Sequence, residues 1–319
     1  MKRFLLNIVA FAGIVGILAS VVVCAVLPRI KLYTAPFRGW HQRCLSVHQP
    51  SDKSRLILVG GSNLACGIDR AMLSRELDER YQVVNLGFHA GLGVGVHLDL
   101  IDDGLKSGDV VVLMVEYTNW SRWNGGLPAT VFRCDVQERN LFTSMIGSKW
   151  CTVDLAQWHH YIMEKWNRCA GGAQLFTEPK TDESAKSRQV VSNEATDDDH
   201  PDPLYAVMPV YATKRFKFDN ISRSMLAKVA DSYRQRGVKL LLSAPSYDAR
   251  HYELHASEIE QIYSQITTQV GIPKISDPRA YSFPLAEMGN TEWHVNRLGR
   301  EKMTHNLAKD IIRSDGCGN

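Results

Sequence analysis

Residues Arg55 to Asn63 read RLILVGGSN, a short apolar run that ends abruptly in two glycines, a serine and an asparagine. The consecutive apolar residues Leu56 to Val59 suit a strand buried on both faces. The glycines permit a tight exit that leaves Ser62 in the open at the edge of a sheet. Alone, the stretch reads equally as a structural turn, and its meaning depends on what surrounds it.

What surrounds it is regular. Asp69 to Arg80 has helical spacing, with Met72, Leu73 and Leu77 on one face and Asp69 placed as the N-cap. Gln82 to Leu86 is a second strand, Gly87 to Gly95 a glycine-rich turn, His97 to Lys106 a helix and Val110 to Val115 a wholly apolar third strand. Farther on, Ser222 to Arg236 is a helix stopped by Gly237, and Val238 to Leu242 is a fourth strand. His255 to Val270 is a helix, Lys274 to Ser276 a short fifth strand, and Asn296 to Ile312 a helix with Asn296 as its cap. Strands alternating with helices at this spacing predict α/β architecture: a three-layer α/β/α sandwich around a mainly parallel sheet.

Two stretches break the pattern. Tyr117 to Trp166 is rich in aromatics without a sustained period; these rings either pack in the core or line a sugar-binding cleft. Ala170 to Pro203 is polar and carries Asp197-Asp198-Asp199, with too little apolar surface to offset its ordering entropy, so a flexible insertion is expected at about 170–203.

At the start of the chain, Met1-Lys2-Arg3 precedes an apolar run from Phe4 to Leu27, broken only by Asn7 and Ser20. About 20 apolar residues cross a bilayer, so residues 1–30 are expected to form a transmembrane anchor and 31–54 a connector to a body at 55–315. The run is longer than a usual signal-peptide core and lacks a clear small-x-small cleavage site. Cys24 is preceded by Val23 rather than by the small residue expected in a lipoprotein. Lys2 and Arg3 favour a cytoplasmic start, partly offset by Arg29, Lys31 and Arg38, and the body is expected to be extracytoplasmic.

The 319 residues suffice for one large domain, and 37 Lys and Arg against 34 Asp and Glu leave a net charge of +3 with no concentrated basic stripe. No nucleic-acid partner is expected from that balance. The seven cysteines form no Cys-x-x-Cys pair, so no metal is expected; Cys134, Cys151 and Cys169 could supply a disulfide after export, or serve as small buried residues. Gly91-Leu92-Gly93-Val94-Gly95 follows the second strand and lacks the full dinucleotide fingerprint. His89 and His97 flank the same turn and read as surface or core histidines, and His159-His160 shows no metal-ligand spacing.

In open parallel sheets, ligands bind beyond the carboxyl ends of the strands. Four such segments carry groups suited to acyl transfer: Ser62; Gly91, whose N–H could face an oxyanion; Asn119, whose amide could do the same; and Asn290-Thr291-Glu292-Trp293-His294 before the last helix. Serine is a weak nucleophile without a base, which His294 could be, and the developing oxyanion needs preorganised donors. The acid nearest the histidine is Glu292.

These blocks make the chain resemble the SGNH, or GDSL-like, hydrolase superfamily over about Arg55 to Asp315, with the insertion excluded. Ser62 matches the nucleophile block, although Gly61 replaces its usual Asp; Gly91 matches the second block; Asn119 matches the third, with Tyr117 in place of its glycine. His294 in His294-Val295-Asn296-x-x-Gly299 matches the last. More narrowly, the combination is similar to membrane-anchored SGNH-like proteins associated with bacterial polysaccharide gene clusters. One departure stands out: three residues before His294, where the family has Asp, stands Thr291, with Asn290 one step farther. Either Glu292 orients the histidine, or Ser62 and His294 work as a dyad, or activity is weak or lost.

The resemblance implies a flavodoxin-like SGNH fold and a serine esterase or O-acyltransferase, without cofactor, acting on an acylated glycan or polysaccharide. It further implies a place in the cytoplasmic membrane beside envelope polysaccharide machinery. The competing expectation is an inactive scaffold or binding subunit of such an assembly.

Overall fold

The structure is a computed structural model that describes residues 42–88, 90–123 and 216–316, with isolated positions before residue 19. Most of the apolar run, the disulfide candidates Cys134, Cys151 and Cys169, His89, His159-His160 and the insertion at 170–203 lie outside the described residues. Among the described residues no helix is long and apolar enough to cross a membrane.

Arg55–Gly60 forms β1, buried at every position as its apolar run requires. It pairs in parallel with β2 (Gln82–Asn85) on one side and with β3 (Val110–Met114) on the other, and β4 (Lys239–Leu242) pairs in parallel with β3. The order is therefore β2-β1-β3-β4. The expected fifth strand shrinks to one parallel bridge, Leu242 to Lys274, held by Leu242 N to Pro273 O and Ile275 N to Leu242 O, each 2.9 Å. Pro273 lacks an N–H and Ser276 is already turning into the loop capped by Asp277, so the pairing ends there.

Helices α1 (Ser62–Gly67) and α2 (Arg70–Glu76) connect β1 to β2, and α3 (Val94–Asp102) connects β2 to β3. Farther along come α4 (Asn220–Gln235), α5 (Ala249–Gln265) and α6 (Arg297–Gly316). The last helix packs on α1 and α2, whereas α3 lies against β1 and α4 against β4. The step from β1 to β2 and the step from β2 to β3 run in opposite directions across the sheet. Right-handed crossovers therefore put the two sets of helices on opposite faces, giving three layers.

The caps act as the sequence suggests. Asp69 accepts from Met72 N at 2.9 Å, and Asn296 Oδ1 accepts from Gly299 N at 3.1 Å. The helix expected to run to Arg80 ends at Glu76, and two helix starts differ by three residues or more. The third helix begins at Val94, because Gly93 at φ 79° makes the turn. The fifth begins at Ala249, because Asp248 caps it through Arg250 N at 2.8 Å.

The aromatic segment divides at the edge of the described residues: Tyr117, Trp120 and Trp123 are all buried. Tyr117 meets Phe216, Tyr247 and Trp293 with ring centroids 5.7, 5.4 and 5.7 Å apart, and Tyr247 stacks on Trp293 at 4.3 Å. These three residues after β3 therefore belong to the core, and Tyr117 packs against Trp293 in the turn carrying His294.

Candidate active site

Ser62 is the first residue of α1, directly beyond the carboxyl end of β1. Gly61, before it, has φ −83°, a conformation any residue can adopt, so its small size answers to space rather than to backbone freedom. A Cβ on Gly60 would lie 2.4 Å from Met114 O, and one on Gly61 would lie 2.5 Å from Glu116 Oε1 and 3.0 Å from the Ala90 Cβ. Three chain segments thus converge on the serine: the exits of β1 and β3 and the turn Ala90–Leu92.

His294 reaches the serine from the other end of the sequence. Its Nε2 lies 2.8 Å from Ser62 Oγ and its Nδ1 2.8 Å from Asn290 Oδ1. An amide oxygen only accepts, so Nδ1 carries the ring proton and Nε2 presents its lone pair to the serine hydroxyl, which donates to it. That is the tautomer a general base needs.

The turn holding the imidazole is pinned on several sides. Thr291, at the position where the SGNH family carries its acid, accepts from Trp293 N at 3.2 Å through its hydroxyl and so closes the turn. Glu292 contributes its carbonyl oxygen, which accepts from Asp248 N at 2.9 Å. Ser246 donates to Trp293 O at 2.6 Å, and Gly289 N donates to His294 O at 2.7 Å. Buried Asn296 caps α6 and donates to Ala286 O at 2.8 Å, fixing the exit of the turn. The hydrogen bond at His294 Nδ1 thus goes to neutral Asn290.

The remaining expected residues fall as follows. Gly91 sits in the Ala90–Leu92 turn, beside the serine exit through the contact of Ala90 with Gly61. Asn119 is buried in a 3-10 turn (Tyr117–Ser121) just beyond β3, its N–H donating to Glu116 O at 2.8 Å. Asn85, at the end of β2, donates to Leu64 O at 3.1 Å and accepts from Gly87 N at 2.8 Å, which stitches that exit to α1.

Sequence reasoning missed Glu116. It is buried, and its Oε1 lies 3.4 Å from Ser62 Oγ. The signal was an acid directly following an apolar strand, at the end of the sheet where ligands bind. Its partner signal was the absence of a side chain at position 61. Cys66, one turn beyond Ser62, has its thiol pushed up to about 11, first by burial, with Arg300 pulling down and Glu116 pushing up. At neutral pH it is a thiol and no rival nucleophile to Ser62.

The fold and the serine-histidine pair define an α/β protein with a candidate serine nucleophile at the carboxyl edge of its sheet. No protein-family model and no curated protein matches the chain. Among solved structures, the chain is similar to Axe2, an acetylxylan esterase from Geobacillus stearothermophilus. A catalytic mutant of it aligns at 11% identity and TM-score 0.39, covering 83% of this chain and 96% of that one. Another Axe2 structure aligns at 11% identity and TM-score 0.38, covering 81% and 94%.

Proposed function

We propose that this protein is an SGNH-like serine esterase or O-acyltransferase, anchored in the cytoplasmic membrane with its body outside, that acts on acylated carbohydrate. The observation that carries it is the 2.8 Å contact between Ser62 Oγ and His294 Nε2, with Nδ1 held by Asn290 Oδ1 at 2.8 Å. In the proposed reaction, Ser62 Oγ attacks the ester carbonyl carbon while its proton passes to Nε2. The C–O bond formed to Oγ leaves negative charge on the carbonyl oxygen, with the Gly91 N–H and the Asn119 amide as candidate donors. Collapse breaks the bond to the leaving alcohol, which takes the proton from Nε2. Water or a sugar hydroxyl then gives its proton to Nε2 and attacks the acyl carbon; the second collapse breaks the bond to Ser62 Oγ, which takes that proton back from Nε2, so hydrolysis and transfer share the same residues.

Asn290 favours a second reading, a scaffold that retains the fold without the chemistry, because an amide orients the ring but gives the imidazolium no charge. Fluorophosphonate labelling separates the two. The folded protein should be labelled, and Ser62→Ala should abolish the signal; unlabelled, folded wild type supports the scaffold. The anchor rests on the apolar run from Phe4 to Leu27. A reporter fused after Lys53 is expected outside the cytoplasm, and a cytoplasmic signal overturns that topology.

A further inference from the structure

The site holds a carboxylate in the room left by Gly61. A Cβ at position 61 would lie 2.5 Å from Glu116 Oε1 and 3.0 Å from Glu116 Cδ, and the same oxygen is 3.4 Å from Ser62 Oγ. Glu116 is only 4% exposed. It leaves β3 two residues beyond Met114, which pairs with Gly60 two residues before Ser62. The parallel register of the central strands therefore sets this acid beside the nucleophile. Behind the imidazole, by contrast, stands the neutral Asn290. With Ser62 Oγ lying between them, the 3.4 and 2.8 Å legs laid end to end keep Glu116 Oε1 within about 6 Å of Nε2. A negative charge at that range in a partly buried site favours the protonated imidazole; the cation it works against is Arg300 of α6, which acts with opposite sign to Glu116 on the neighbouring Cys66 thiol.

We propose that Glu116 supplies the negative charge that stabilises the His294 imidazolium, while Asn290 supplies only its orientation. This rests on the serine-enzyme reading above. The two tasks that one aspartate performs behind Nδ1 in a Ser-His-Asp triad are split here between two residues on opposite sides of the ring. Glu116 does not take the proton: Nε2 is the nearer acceptor of the serine hydroxyl, at 2.8 against 3.4 Å. The proton moves from Ser62 Oγ to Nε2 and from there to the leaving oxygen, and Glu116 takes no part in the transfer. The same charge opposes the oxyanion, which is why the test reads the imidazole directly.

The experiment is the rate of fluorophosphonate labelling of the full-length protein in detergent, measured across pH. The rate rises with pH as His294 loses its proton. A neighbouring carboxylate holds that proton on to higher pH, so Glu116→Gln should move the rising limb to lower pH by about one unit and lower the plateau roughly tenfold. A limb that stays in place overturns the proposal, whatever the plateau does, because a merely structural loss lowers the plateau alone. Glu116→Asp, which keeps the charge, should keep the limb near its wild-type position. In a double-mutant cycle, Asn290→Asp should raise the rate several-fold more in the Glu116→Gln background than in wild type; equal gains overturn the proposal. Should Glu116→Gln fail to fold, Gly61→Ala, which pushes the carboxylate away, is read by the same limb. Folded wild type without Ser62-dependent labelling removes the serine enzyme and the role of Glu116 together, whereas labelled wild type with an unmoved limb removes only the latter.

Discussion

The two glycines before Ser62 do different physical work although they are neighbours. At Gly60 the obstacle to a side chain is Met114 O, a backbone atom in the middle of the sheet that cannot retreat. At Gly61 it is the end of the Glu116 side chain and the Ala90 methyl. Gly60→Ala should therefore cost about 1–3 kcal/mol as an overpacked core. Gly61→Ala should cost less, about 1 kcal/mol, and lower Tm by only a few degrees, because Glu116 can swing away. Its labelling rate should nevertheless fall roughly tenfold, since the carboxylate leaves the serine. Thermal unfolding alongside labelling checks this, and a Gly61→Ala protein with an unchanged rate would show that the close approach of Glu116 is incidental. The same pair of positions explains what could be seen in the sequence. Ser62 and His294 are legible because each sits in a recognisable local block. Glu116 acquires its meaning from the register that sets Met114 beside Gly60, and no local pattern records that register.

At the scale of elements, legibility followed burial. The strand β3 is apolar throughout, β1 is apolar after Arg55, and both are buried throughout, so their existence was plain from composition and their ends fell within a residue of the expected ones. Helices were legible where the cap was an acid or amide followed by periodic apolar residues, as at Asp69 and Asn296. They were misplaced where glycines ran into the first turn, as at Val94, or where a polar and aromatic first turn hid the start. The helix α5 opens with Ala249-Arg250-His251-Tyr252, and its Asp248 cap lies in a two-residue strand, β5 (Tyr247–Asp248), paired in parallel with β6 (Ser282–Phe283). So short a strand has no period to detect, yet it has a consequence at the site: Asp248 N donates to Glu292 O, and Ser246 just before it donates to Trp293 O. The turn bearing His294 is thereby fastened to the strand segment after β4 rather than to its sequence neighbours alone. The tryptophan of that turn lies on Tyr247, which converts an aromatic core into a rigid support for the imidazole.

At the scale of the whole molecule, the chemistry and the anchorage of the sheet lie at opposite ends of the same strands. Ser62 and Glu116 follow the carboxyl ends of β1 and β3; Arg55 and Asp109 stand at the opposite ends. The Arg55 guanidinium is buried, pairs with the Asp109 carboxylate and donates to Gly104 O at 2.7 Å and to Val47 O. Asp109 Oδ1 also accepts from Arg55 N at 3.1 Å and Nε at 3.0 Å, and its Oδ2 from Lys106 N at 2.8 Å. A buried charge with all its hydrogen bonds made is not by itself a large source of stability, but one left alone is costly. Asp109→Ala should thus destabilise by about 3–5 kcal/mol, because it strands the guanidinium. The double variant Arg55→Met, Asp109→Leu should recover much of that loss by removing both charges, although Val47 O and Gly104 O then lose their donor. Urea unfolding of the three proteins checks the order of stability, and a double variant no more stable than Asp109→Ala would mean that the carbonyl contacts, rather than the ion pair, hold this end. The labelling rate per folded molecule should be the same in all three, since a change at this end of β1 reaches Ser62 only through a strand buried and paired on both sides.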